Sequence, residues 1–322
     1  MSKGTCFISS IQWIKIWLLS GLLTGLSLFS HEMLLVSTKQ EPSLISDVDL
    51  FCTVYSKVST LQSDDFILLG ASRIQTGFDL ATMKEKFPKQ ESLMLAQAGH
   101  GTSFPVFKDI VENSNFNGTI IFDETERTLI SSKNLQEESI KSCRNFSIDR
   151  WINRKISTAL QKRVRFLNSP FIWAPLLLEM RIPEPFFVKT SADRQRFLDF
   201  SLGQRDFPDN AISTSGEISF SQWEDKVKRW EDPILKFRQR GGTVIFVRFP
   251  VSKKLWSSDE KLFPPEDYWL RWTGSLGLES IHFSQHPALM SFELPDGTHL
   301  DKKDRAEFTR LLLHYLDLPS DS

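Results

Sequence analysis

The chain has 322 residues, 40% hydrophobic and 25% charged, with 39 Lys and Arg against 40 Asp and Glu for a formal charge of −1. That apolar fraction supports a sizeable core, and the balanced charge gives no electrostatic case for nucleic acid. Three cysteines, no Cys/His cluster at zinc spacing and no Gly-rich phosphate loop lead us to expect neither metal nor cofactor.

Taken in chain order, residues 7–35 are dominated by Ile, Leu, Trp, Phe and Gly, with a single Lys15 inside. A stretch of about 20 apolar residues with a snorkelling lysine suits a membrane-spanning helix. The alternatives are a cleaved signal peptide and a buried core helix. No small-x-small cleavage site follows Phe29, and a core helix would show a polar face, so an uncleaved anchor over 1–35 is the favoured reading. Lys3 and Lys15 lie on the N-terminal side of the anchor, which orients the rest of the chain towards the periplasm or exterior. A lead-in over 36–63 then precedes a domain over 64–322. Cys6 lies at the edge of the anchor, so Cys52 and Cys143 are the only pair that could oxidise outside the cytoplasm; the sequence alone does not establish that bond.

Strands are predicted over 65–69, 93–98, 119–122, 243–249 and 280–283, with helices over 80–87, 104–113, 223–240 and 305–316. This alternation predicts an α/β fold, a three-layer α/β/α sandwich on a mainly parallel five-stranded sheet. Ligands of such sheets bind beyond the carboxyl ends of the strands, where Ser72, Gly99, Asp123 and Arg248 would fall. A mostly helical insertion over 128–235 interrupts the domain. Its 137–166 stretch is amphipathic, 169–185 is strongly apolar, and 204–219 reads as a loop, so the insertion is either a lid or a surface for the membrane or a membrane-embedded partner. The nine Trp and 26 Phe either fill an aromatic core or line a sugar cleft or membrane-facing surface.

Two short segments carry the chemistry. Ile67-Leu68-Leu69-Gly70-Ala71-Ser72-Arg73 is a buried strand running into a tight turn that presents a serine, and Asp296-Gly297-Thr298-His299 supplies a carboxylate and an imidazole at i and i+3. A serine hydroxyl needs an imidazole to take its proton, and the imidazole needs a carboxylate to fix its tautomer. Ser72, His299 and Asp296 fill those roles. Taken singly, each segment is an ordinary turn; it is their joint placement, after the first strand and before the last helix, that points to catalysis. His100 is a competing imidazole, read instead as a pocket wall or turn residue.

The order Ser, Asp, His, with DxxH just before the last helix, resembles the SGNH (GDSL-like) hydrolase superfamily over roughly residues 64–316. The Gly-Ala-Ser-Arg turn is more similar to the membrane-anchored branch that modifies cell-wall polymers and exopolysaccharides. The resemblance implies that the glycine loop after the second strand, Gly99-His100-Gly101, supplies an oxyanion N–H from Gly99 or Gly101. It also implies an oxyanion-binding asparagine after the third strand, where this chain has Asp123-Glu124-Thr125-Glu126-Arg127. The oxyanion hole would then use backbone N–H groups and Arg127, or catalysis would be weak. Arg73 and Arg248 are read as substrate contacts or as salt-bridge partners of Asp123 or Glu124. The implied function is acyl transfer or ester hydrolysis on a cell-surface polysaccharide, with a membrane-bound O-acyltransferase as donor-side partner. The rivals are a non-catalytic glycan-binding or assembly subunit and a lipase-like esterase.

Overall fold

Five short apolar runs form one parallel sheet in the computed structural model of the chain, which describes residues 10–132, 135–168, 187–203, 218–316 and 318. The strands are β1 (Phe66–Gly70), β2 (Ser92–Met94), β3 (Thr119–Asp123), β6 (Thr243–Arg248) and β7 (Glu279–His282), in the order β2-β1-β3-β6-β7. A separate antiparallel hairpin joins β4 (Val188–Thr190) and β5 (Arg196–Leu198). The central strands β1 and β3 are buried along their whole length, as expected for a parallel sheet covered on both faces.

Period-two alternation sends successive residues to opposite faces. Ile67, Leu69, Ile120, Phe122, Val244 and Phe246 enter one apolar cluster, which is completed by helices Val48–Tyr55, Phe104–Asn113, Glu231–Gln239 and Trp269–Ser275. Phe66, Leu68, Ile121, Ile245 and Val247 enter the other, closed by helices Leu80–Lys86 and Arg305–Tyr315. Trp223, Trp230, Trp269 and Trp272 lie in the first cluster, so these aromatics are core rather than cleft.

The differences from the predicted elements have local causes. The predicted 93–98 strand starts one residue earlier, at Ser92, and ends at Met94, yet Leu95 N and Gln97 N still donate to Leu68 O and Gly70 O, at 2.9 and 3.1 Å. The predicted 223–240 helix is split by a 3₁₀ turn at Lys228–Trp230, after which Pro233 occupies the first turn of Glu231–Gln239. Proline is tolerated there because its missing N–H has no intrahelical partner. Cys52 and Cys143 form a disulfide that ties helix Val48–Tyr55 to helix Leu135–Arg144.

By contacts the chain divides into Met1–Ser43 with Ala159–Phe186, and Leu44–Thr158 with Phe187–Ser322. In the first unit, helix Ser10–Ser37 is long and apolar enough to cross a membrane, with residues 11–30 all exposed. Its Glu32 carboxylate accepts from Arg165 Nη1 and N at 2.8 and 2.9 Å, and Arg165 Nε donates to Gln40 O at 2.6 Å. The second unit contains both apolar clusters and the site below. The apolar 169–185 stretch and most of the predicted 204–219 loop lie outside the described residues.

Candidate active site

The site is assembled at the carboxyl ends of β1, β2 and β3. Gly70 closes β1 with φ +141°, and a Cβ there would stand 2.6 Å from Asp123 O and 2.9 Å from Ile74 Cγ2. Only glycine lets β1 run this close to β3 and turn at once through Ala71 into helix Ser72–Gly77, which starts with Ser72 at its N-terminus.

The second segment arrives from the far end of the unit. Leu300, 2% exposed, is held in the second apolar cluster and would abut a Cβ placed on Gly77, at the end of the serine's helix. Gly297 takes φ +84°, its N–H donates to Leu294 O, and its carbonyl accepts from Ser252 N, both at 2.8 Å. The DxxH turn is therefore fixed to the loop after β6 and to the helix that bears the serine.

These two anchorings bring Ser72 to Asp296 and His299, which lie 224 and 227 positions later in the sequence. Ser72 Oγ lies 2.8 Å from His299 Nε2, and His299 Nδ1 lies 2.7 Å from Asp296 Oδ2. An ionised carboxylate only accepts, so this contact places the ring proton on Nδ1 and leaves Nε2 free to accept from the serine. Asp296 Oδ1 accepts from Thr298 N at 2.9 Å and from His299 N at 2.8 Å, fixing the carboxylate before it meets the ring. Burial opposes ionisation of Asp296, but the hydrogen bond and charge of His299 and the two backbone donors outweigh it and hold the carboxyl below its usual range. Thr298 Oγ1 lies 2.8 Å from His299 Nδ1, a second orienting contact that sequence reasoning had not singled out; its place between Asp296 and His299 was the only signal.

The glycine loop lies beside this group. Gly99 and Gly101 take φ +78° and +73°, and neither N–H donates to an acceptor among the described residues. Gln75, one turn after Ser72, accepts from Ala98 N at 3.0 Å, tying the loop to the serine's helix. His100 is turned to the carbonyl of Ala98, 2.8 Å from its Nδ1, and is not the partner of Ser72.

The arginines divide. Arg73 pairs with the buried Asp123 at 3.3 Å, the salt-bridge alternative of the sequence reading. Burial lowers its pKa and Asp123 raises it in part. Arg248 also forms salt bridges, but to Glu126 and Asp259 rather than to Asp123 or Glu124. It is 1% exposed and engaged by Glu126 at 3.3 Å, Asp259 at 3.0 Å and Phe249 O at 3.0 Å. Arg127 pairs with Asp259 at 3.5 Å and lies over the ring of Phe263. Glu124, in that segment, instead accepts from Ser103 N at 2.7 Å and from Ser103 Oγ, and burial pushes its carboxyl up to about 7.

The amphipathic stretch of the insertion forms helices Leu135–Arg144 and Ile148–Gln161. The second leaves Ile148, Trp151, Ile152 and Ile156 exposed along one stripe. No family model and no curated protein matches the chain.

Proposed function

We propose that the protein is an extracytoplasmic, membrane-anchored serine O-acyltransferase or esterase, with a three-layer fold of the SGNH type, acting on a cell-surface polysaccharide. The observation that carries this reading is the continuous chain Ser72 Oγ to His299 Nε2 and His299 Nδ1 to Asp296, at 2.8 and 2.7 Å. The apolar helix and the Cys52–Cys143 disulfide support a site outside the cytoplasm, because structural disulfides persist in oxidising compartments.

In this mechanism Ser72 Oγ attacks the acyl carbonyl carbon while its proton passes to His299 Nε2. The carbonyl electrons move onto oxygen, where the N–H groups of Ser72 and of Gly99 or Gly101 stabilise the charge. Collapse re-forms the carbonyl, expels the leaving alkoxide with the proton from His299, and leaves the acyl group on Ser72. An acceptor hydroxyl, or water in hydrolysis, then gives its proton to His299 and takes the acyl group by the reverse sequence. Asp296 stays ionised and stabilises the imidazolium at both stages. A membrane-bound O-acyltransferase would serve as the donor-side partner, and the exposed Ile148–Ile156 stripe suits the bilayer or such a partner.

The reading is tested by hydrolysis of an aryl acetate by the full chain in detergent, compared with Ser72→Ala and His299→Ala. Turnover falling to background in both variants is expected. Equal rates in all three proteins would favour the binding-subunit rival, and a preference for long-chain esters would favour the lipase-like one.

A further inference from the structure

A cavity of about 210 Å³ borders the glycine loop, lined among others by Gln75, Gln97, Ala98, His100, Arg194 and Arg196. Two of these flank Gly99, and Gln75 belongs to the helix that starts with Ser72, so the cavity adjoins the elements that hold the nucleophile. Its hydrogen-bonding capacity is one-sided. Gln97 Nε2, Arg194 Nε and Arg196 Nε are buried donors without an acceptor among the described residues. A buried donor left unpaired costs about 1–3 kcal/mol, and three of them converge on this one cavity, whereas the unpaired Nε atoms of Arg154, Arg229, Arg240 and Arg305 belong to residues outside its lining.

The charges point the same way. Arg194 is 3% exposed and lies over the Phe51 ring, and Arg196 has no hydrogen bond or ion pair from its guanidinium among the described residues. Asp47 is the carboxylate lining the cavity, and both its oxygens are committed, one to Leu50 N at 2.8 Å and the other to Arg154 Nη1 at 2.9 Å. Burial and the neighbouring Arg196 push Arg194 down to about 9, and the charge of Asp47 opposes them only in part. Arg194 also takes φ +69°, a conformation non-glycine residues adopt at some cost, at the turn between β4 and β5.

We propose that this cavity binds an oxyanion, the carboxylate or phosphate of a saccharide, through Arg196, Arg194 and Gln97. That the anion is carried on a saccharide rests on the proposed function; the oxyanion chemistry does not. The volume corresponds to roughly seven waters, enough for such a group with part of its ring. Arg194 Nη1 already donates to Met94 O at 3.0 Å, which leaves Arg196 as the adaptable clamp. The polymer would thereby be selected as an acidic one and positioned by its charge beside Ser72.

The test is calorimetric titration of the full chain in detergent with glucuronate, glucose 6-phosphate, inorganic phosphate and glucose. One or both charged sugars are expected to bind and glucose is not, with Arg196→Gln weakening the interaction roughly tenfold or more, as loss of a charge-assisted bond predicts. The tighter of the two charged sugars identifies the source of the oxyanion. Binding of inorganic phosphate alone overturns the saccharide part. Binding of glucose as tight as that of the charged sugars, no binding of any probe, or an Arg196→Gln protein that melts and binds like wild type overturns the whole. Should that variant fail to fold, the unmodified protein decides: binding must weaken as salt is raised, and salt-independent binding refutes an ionic clamp. Heat rather than turnover is read, so the cavity can fail while Ser72-dependent hydrolysis stands, and the reverse.

Discussion

Asp296→Asn separates orientation from packing at the site. The carboxylate uses Oδ1 for two backbone donors, Thr298 N at 2.9 Å and His299 N at 2.8 Å, and Oδ2 for the ring, at 2.7 Å from His299 Nδ1. An asparagine that keeps its single oxygen on the backbone donors must turn its NH₂ group to Nδ1. Nδ1 then accepts, the ring proton moves to Nε2, and Nε2 donates to Ser72 Oγ instead of taking its proton. The Thr298 hydroxyl, 2.8 Å from Nδ1, reinforces that tautomer by donating to it. The expected loss of turnover is ~10³–10⁴-fold, the size seen when a triad histidine is held in the wrong tautomer. Both backbone bonds survive, so the stability loss should be only about 1 kcal/mol. Aryl acetate hydrolysis and urea unfolding on the same preparation read the two effects. A variant that keeps more than about a tenth of wild-type turnover while folding normally would refute the role assigned to Asp296, and an inactive variant that is also unfolded would refute the claim that the turn survives.

Four further outcomes follow from named contacts. Glu124 is raised to about 7 by burial, so the folded state binds its proton more tightly than the unfolded chain does, and stability should fall as pH rises from about 4 to 7. Glu124→Gln keeps an acceptor for Ser103, and it should be more stable than wild type by about 2–3 kcal/mol at pH 8 but not at pH 4 in urea melts; a gap independent of pH would contradict the assignment. Asp296 carries the opposite sign: its depressed carboxyl stabilises the fold above about pH 4 and that contribution is lost as pH falls through the folded value, an acid limb that Asp296→Asn should lack. Cys52 and Cys143 close a loop of separation 91, for which chain entropy gives up to about 4–5 kcal/mol, so the double alanine variant should melt markedly lower and lose its sensitivity to dithiothreitol. Gly70→Ala places a Cβ 2.6 Å from Asp123 O at a positive φ, and should cost about 3 kcal/mol and lower turnover with it; an unaffected melt would contradict the close approach of β1 and β3.

What could be read from the sequence depended on whether the signal was local. The buried strands were legible because a parallel sheet covered on both faces demands unbroken apolar runs, and 67–69, 120–122 and 244–247 are such runs. Ser72 and the Asp296–His299 pair were legible because a strand-to-helix turn and an i, i+3 spacing are short-range patterns, and order along the chain suggested that they meet. The destinations of the arginines were not. Arg127 and Arg248 both stand near strand ends, as a substrate-binding cation would, yet both are drawn to Asp259, 132 and 11 residues away, a choice only the tertiary fold makes. Arg194 and Arg196 show the converse. In the sequence they are two unremarked cations beside Asp193, and local charge balance suggests a solvated turn. The fold instead buries Arg194, leaves Asp193 to bond with Ser191 and Gln195, and gives Arg196 no carboxylate among the described residues. A guanidinium one or three positions from an aspartate is ordinary by spacing, and becomes informative only when burial shows that the aspartate has gone elsewhere. Catalytic types announce themselves through motif geometry, whereas a specificity pocket is defined by what its residues lack, and a missing partner leaves no trace in a sequence.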